Sequence, residues 1–356
     1  MVEIHPLAAA SGKRPSRVLA VDEVRLLWDL GEWRDLQRAM EGKANVSHFV
    51  TTDKGGFVVR ISNGRKTEAS MAWEVAFLDQ LGARGFPSPR VVPTRSGSAW
   101  AWVDGSLCFI TERIPGRSMD PEHPVHRRES MVALAWFHDE AAQLPAAAQP
   151  SSRSRVPILG SGPAVLEELQ PVVEELVGLA DLDRLRRARE ALEPAFAATT
   201  ADLAAGQLPE VVTHGSFGPT AVLFDDDRLT GVLDFERAAW ELRTLDLGYT
   251  MRGLARDRLV EGAWDLPSLS ALAAAYGSRR PLTPAEVDCF PAVLRAQRLI
   301  RVTNKAANLM RKHAVIAQEE KDGLKLIQLL ELEAVRVGWI TAHESELVEA
   351  VAAGAG

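Results

Sequence analysis

The chain has 356 residues, 46% hydrophobic and 25% charged, the balance of a globular protein with a sizeable core and of about two domains or lobes. Its 48 acidic residues outnumber 41 basic ones, and the two signs are interleaved. No basic stripe therefore marks a nucleic-acid partner, and no apolar run is long enough to cross a bilayer. Cys108 and Cys289 are the only cysteines. They make no disulfide framework or zinc pattern, and with no signal-peptide pattern visible the expectation is a cytoplasmic protein.

Residues 1–18 read as a flexible tail. A helix is expected from Asp22 to Leu30, closed by Gly31. Val46–Thr52 and Phe57–Ile61 are β-prone runs around the turn Asp53-Lys-Gly-Gly56, which predicts a hairpin. Thr67–Leu81 has helical periodicity, with Trp73, Phe77, Leu78 and Leu81 on one face. Strands are expected at Arg90–Thr94 and Leu107–Ile114, with Trp100 and Trp102 in a loop between them. About five strands and one inserted helix thus precede the break at Pro115-Gly116.

Beyond Glu129 the pattern turns helical. A helix is expected from Met131, a Pro/Ser-rich loop over Pro145–Pro157, and helices over 163–178, 181–198, 265–276, 284–311 and 318–336. One stretch interrupts them. Val211–Thr213, Ala221–Phe224 and Leu229–Leu233 read as short strands with polar junctions. The fold class expected is α+β: a small β-rich N-lobe over 19–114, a larger helical C-lobe over 115–340 that contains the loop region 211–236, and a C-terminal tail over 341–356.

The chemistry concentrates in His214-Gly-Ser216-Phe-Gly-Pro-Thr-Ala221, followed by a short hairpin and Asp234-Phe-Glu236. This segment resembles the catalytic core of the aminoglycoside phosphotransferase and type II homoserine kinase superfamily, which has a two-lobed protein-kinase-like fold. Other segments resemble that family in the same order. Gly42–Asp53 is similar to its nucleotide-loop hairpin, Phe57-Val-Val-Arg60 to its phosphate-contacting strand, Glu74 to its partner glutamate, and Phe109–Gly116 to its adenine hinge. Leu245-Asp246-Leu247 matches a structural Asp-Leu step, and His138 ends a helix motif of the family.

The resemblance implies ATP and Mg2+ as cofactors. It implies nucleotide contacts from Asn45, Ser47, Arg60, Glu74, Glu112 and Ile114, and metal binding by Asp234 and Glu236, since hard cations take oxygen ligands. A cation on the strand, fixed by a glutamate, neutralises phosphate charge during transfer, and an arginine there still offers a planar bidentate fork. The helix over 284–311 would line the acceptor cleft with Arg298 and Arg301, and Trp240 would stand beside it.

The segment also departs from the family. Ser216 stands where the family has its catalytic aspartate, and Ala221 where it has a metal-binding asparagine, while His214 and Asp234 keep the family spacing. A serine hydroxyl is no base near neutral pH, and losing a general base typically costs about 10²–10⁴ in rate. The sequence therefore points to a kinase-like protein that binds nucleotide, or a partner protein, with impaired or lost transfer. The alternative is an active, atypical ATP-dependent O-phosphotransferase acting on a small hydroxyl compound or a peptide Ser/Thr, as in natural-product biosynthesis. Neither a nucleic acid nor a membrane is expected as partner.

Overall fold

A computed structural model describes residues 19–355 except 40–44, 63–65, 146–149, 151–153, 258 and 316–317. The expected tail over 1–18, and most of the loop over 145–157, lie outside the described residues. The chain divides into two compact units. One takes Met1–Ser118, Gln143–Gln149 and Val222–Glu236; the other takes Met119–Ala142, Pro150–Ala221 and Arg237–Gly356.

The first unit opens with α1 (Val21–Leu27), β1 (Trp33–Arg38), β2 (Val46–Thr52) and β3 (Gly55–Ile61). After α2 (Glu68–Ala83) come β4 (Val91–Val92), β5 (Ala101–Val103), β6 (Ser106–Glu112) and β7 (Arg117–Ser118). The main sheet runs β1-β2-β3-β6-β4 and is antiparallel throughout, with β5 paired to β6. Side chains alternate faces along a strand. Val59 and Ile61 of β3 join Trp28, Leu30 and Val24 in one core, which leaves Arg60 on the opposite face. Thr67 caps α2 by accepting from the Ser70 N–H, and the helix buries Glu74 among Met71, Val75, Phe77 and Leu78.

β9 (Val222–Asp225) and β10 (Arg228–Val232) form a hairpin that pairs with β7. The expectation placed residues 211–236 together in the C-lobe. The structure instead splits that stretch and assigns Val222–Glu236 to the first unit. The cause is side-chain packing: Phe235 lies 6.0 Å from Phe77 and 6.3 Å from Phe86 between ring centroids, and the Val232 N–H donates to the Pro87 carbonyl.

The second unit is built on α3 (Pro124–Ala142), α4 (Ile158–Glu174) and α5 (Leu179–Gly206), followed by β8 (Glu210–Thr213). A 3₁₀ turn over Phe235–Arg237 leads into β11 (Ala239–Leu242), which pairs antiparallel with β8. The remaining helices are α6 (Arg243–Leu254), α7 (Leu266–Gly277), α8 (Pro284–Asp288), α9 (Phe290–His313), α10 (Glu320–Ala342) and α11 (Glu344–Ala355). Leu159, Leu166, Leu169 and Val173 of α4 join Leu192 and Phe196 of α5 and Leu299 and Val302 of α9 in one core. That burial carries α4 and α5 through Pro163, Pro171 and Pro194, where the sequence reading began a helix at 163 and ended one at 198. Gly162 is required there, because the Phe196 ring occupies the space a Cβ would fill.

Three further expectations are corrected. Trp102 is in β5, not in a loop, and its indole N–H donates to Glu68. The C-terminal segment over 341–356 is not a tail: α11 buries Leu347 and Val351 and packs on α7. The first helix ends at Leu27, and β1 follows it. Among the described residues, no helix is long and apolar enough to cross a membrane.

Candidate functional site

In the first unit, strand pairing sets Arg60 opposite Ser47 on β2 and opposite Phe109 on β6. The Arg60 Nη2 donates to Asp234 Oδ1 at 2.9 Å and to Glu236 Oε2 at 2.8 Å, and its Nη1 lies 3.8 Å from the buried Glu74 Oε1. Asn45 Nδ2 donates to Glu236 as well. Burial works against the guanidinium charge, but Glu74, Asp234 and Glu236 outweigh it and hold the Arg60 pKa above its ordinary value. Asp234 has φ 72°, a left-handed conformation that aspartate enters more readily than most residues.

Two carboxylate oxygens thus sit within hydrogen-bond reach of a single nitrogen. A donor set of adjacent, negatively charged oxygens converging on one point fits a hard divalent cation such as Mg2+. The same cluster offers one guanidinium for anionic phosphate oxygens.

The second unit holds the other candidate segment. The Asp246 carboxylate, at the first turn of α6, accepts from the His214 N–H at 2.7 Å and the Gly215 N–H at 2.9 Å. Its Oδ2 also lies 3.2 Å from His138 Nε2, and His138 Nδ1 lies 2.8 Å from the Tyr276 hydroxyl. Every side chain of this group is buried. Burial lowers the His138 pKa despite its carboxylate neighbour, so the imidazole is neutral. It donates from Nε2 to Asp246 and accepts from Tyr276 at Nδ1. Burial would raise Asp246, yet the donors from His138 and the His214 backbone prevail and hold it below the usual carboxylate range. Gly215 has φ +76°, and a Cβ there would meet the Arg237 carbonyl, so only glycine fits.

The loop is therefore held by its backbone. Ser216 follows, its N–H donating to His214 Nδ1 at 3.3 Å and its Oγ 3.4 Å from the same nitrogen. Ala221 is buried at the end of the loop, its N–H donating to the Gly218 carbonyl.

Of the residues singled out from the sequence, the structure brings together Asn45, Arg60, Glu74, Asp234 and Glu236 in the first unit, and His214 and Ser216 in the second. Ser47 lies beside Arg60 in the register. Glu112 is at the exposed end of β6 opposite Phe57, and Ile114 packs near Gly231; neither enters the Arg60 cluster. Trp240 lies on β11 opposite Val212. Arg298 and Arg301 of α9 both reach Glu333 of α10, at 3.6 and 2.7 Å.

The sequence reading missed Lys66, whose Nζ donates to Glu74 Oε2. The available signal was its position one residue before the helix cap Thr67, within reach of the second turn. It also missed Tyr276 as the partner of His138, because the two are 138 residues apart.

The phosphotransferase enzyme family has a sequence model that matches residues 35–286. Homoserine kinase of Pseudomonas aeruginosa is 29% identical over 269 residues, covering 75% of this chain and 79% of that protein. The crystal structure of an aminoglycoside phosphotransferase from Alicyclobacillus acidocaldarius aligns with a TM-score of 0.67 at 19% identity, covering 95% of this chain and 99% of its own. An amicoumacin kinase in complex with AMP-PNP, Ca2+ and Ami aligns with a TM-score of 0.63 at 12% identity, covering 88% of this chain and 92% of its own. The fold is the mixed α+β one of these kinase-like proteins.

Proposed function

Since this chain belongs to the phosphotransferase enzyme family, we propose that it is an ATP-dependent O-phosphotransferase acting on a small hydroxyl compound. The observation that carries the reading is the convergence of Asp234, Glu236 and Glu74 on Arg60. Arg60 is to hold phosphate oxygens, with Glu74 fixing its orientation; Asp234 and Glu236 are to hold Mg2+. The metal, when bound, neutralises charge on the phosphates. Relatives that bear the name homoserine kinase, and a fold neighbour crystallised with AMP-PNP and Ca2+, support transfer over its loss.

Phosphoryl transfer passes through a loose transition state, so positioning and charge contribute more than a base does. On this reading the Ser216 hydroxyl holds the acceptor oxygen by a hydrogen bond, with His214 Nδ1 beside it. The acceptor proton leaves late, to a phosphate oxygen or water. The test is transfer of labelled γ-phosphate from ATP with Mg2+ to homoserine and other small alcohols. Transfer that disappears in Asp234→Asn supports the reading. No transfer to any of them, together with no thermal stabilisation by ATP and Mg2+, overturns it.

A second reading keeps nucleotide binding without transfer. Ser216 and Ala221 favour it, since neither supplies a base or a metal ligand. Stabilisation by ATP and Mg2+ without any transfer would select it.

A further inference from the structure

The second unit contains a cavity of about 910 Å³, a size suited to a small molecule. Its wall is made from the start of α3, the end of α6 and the loop after it, and from α9 and α10. Six arginines line it, against three carboxylates. Two of those carboxylates are turned to local backbone: Asp265 caps α7 through the Ser268 N–H, and Asp257 accepts from the Leu259 and Val260 N–H groups.

The charge is unevenly compensated. A single buried carboxylate, Glu333, serves Arg298, Arg301 and Arg336, and Glu261 helps only Arg336. Arg127 donates to the Leu254 carbonyl. Arg252 stacks over the Tyr249 ring at 4.9 Å, and among the described residues no carboxylate lies within ion-pair distance of it. Burial, and then repulsion from Arg252, Arg336 and Arg301, pushes the Arg298 guanidinium down to about 9. Excess buried charge is costly to keep without a counter-charge. Guanidinium groups present a planar fork that matches carboxylate and phosphate.

Helix α6, whose end forms part of the cavity wall, also touches the loop at Ser216 within the same unit. The Thr250 hydroxyl donates to the Phe217 carbonyl at 2.8 Å, and the Tyr249 ring lies beside Gly218. Arg252 follows on α6, less than one helical turn from Tyr249.

We propose that this cavity is an anion-binding subsite for the acceptor, in which Arg252 and Arg298 grip a carboxylate or phosphate group of the molecule being phosphorylated. The word acceptor rests on the phosphotransferase reading above; the anion site itself does not.

Two measurements on the full chain test it. In the first, thermal unfolding is followed with inorganic phosphate against chloride at matched ionic strength, for the wild type and Arg252→Gln. Arg252 has no carboxylate to abandon, so the variant should melt in chloride no lower than the wild type. Phosphate should raise the wild-type melting temperature and bind the variant roughly tenfold more weakly or worse, the loss expected for one charged hydrogen-bonding partner. No phosphate-specific shift in the wild type, or an equal shift in the variant, overturns the proposal. In the second, transfer to homoserine is compared with transfer to 3-aminopropan-1-ol, which lacks only the carboxylate. The wild type should prefer homoserine about tenfold or more in kcat/KM, and Arg252→Gln should erase the preference. Equal use of both by the wild type overturns the acceptor assignment. No transfer to either, with the Arg252-dependent phosphate shift intact, leaves the anion site standing and counts against the phosphotransferase reading.

Discussion

The Arg60 cluster and the loop from His214 to Ala221 have kept different things. In the first, charged side chains converge: Arg60 meets Asp234 at 2.9 Å and Glu236 at 2.8 Å. In the second, the frame is complete, because Asp246 grips two backbone N–H groups and His138 leans on Tyr276. The positions that would do chemistry there are a serine and an alanine. A loop held by its backbone tolerates change in the side chains it displays. A cluster made of side chains does not. On the proposed function, phosphate binding and acceptor positioning fall to different units, and each can be tested by substitutions in its own unit.

The largest expected effect is in the Arg60 cluster. Asp234→Asn keeps the shape and removes a charge from the proposed metal site. A metal contributes several kcal/mol to the transition state, so transfer should fall by about 10³-fold or more, with the ATP- and Mg2+-dependent thermal shift lost too. Retained transfer would dissolve the contrast between the two regions.

The next effect concerns the frame of the loop. Asp246→Asn replaces one acceptor oxygen with an amide that faces N–H donors. Breaking a buried charged hydrogen-bond group costs about 3 kcal/mol or more, which urea denaturation would register. A change under about 1 kcal/mol would mean that the backbone holds itself.

Ser216→Asp installs the carboxylate that the resemblance read from the sequence implies for this position. If transfer is limited by the missing base, kcat should rise by about 10²-fold, the lower part of the range for general-base catalysis. No rise would show that positioning, not proton removal, limits the rate.

Much of this was legible in the sequence, for identifiable reasons. The β2–β3 hairpin follows from its alternation and from Gly55 and Gly56, and α2 follows from Thr67 as its cap. The order of Arg60, Glu74, His214 and Asp234 was readable because each lies in a distinctive local motif. Other features were not. β7 is two residues long and exists only because β9 pairs with it. Residues 341–356 read as a tail because α11 is a short helix whose buried Leu347 and Val351 gain their meaning only against α7. The arginine-lined cavity gathers Arg127, Arg252, Arg298 and Arg336 from four helices, and no local pattern foretells that convergence. The grouping of Val222–Glu236 with the first unit was not readable either, because Phe235 packs on Phe77 and Phe86, partners about 150 residues earlier in the chain.

The smallest expected effect, about 1.4 kcal/mol per pH unit at most, lies in the frame of the loop. His138 is buried and its pKa is lowered below the ordinary value near 6.5. Once the pH falls below about 6.5 the unfolded chain takes up a proton at this residue that the folded chain refuses, so stability should decline from pH 7 toward pH 5. The contribution is present above the unfolded pKa and is lost as the pH drops through the folded one. Asp246, also lowered, has the same sign but acts only below about pH 4, where free aspartate begins to protonate. The window between pH 7 and pH 5 therefore separates the imidazole from the carboxylate, and the His138→Gln comparison separates it from the chain's other histidines. Urea denaturation of the wild type and His138→Gln across that window should show a shallower slope in the variant. The opposite sign is the informative failure. If the folded protein instead held a charged imidazolium against Asp246, stability would rise as the pH fell. The frame at His214 would then be an ion pair, and Tyr276 could not be donating to Nδ1.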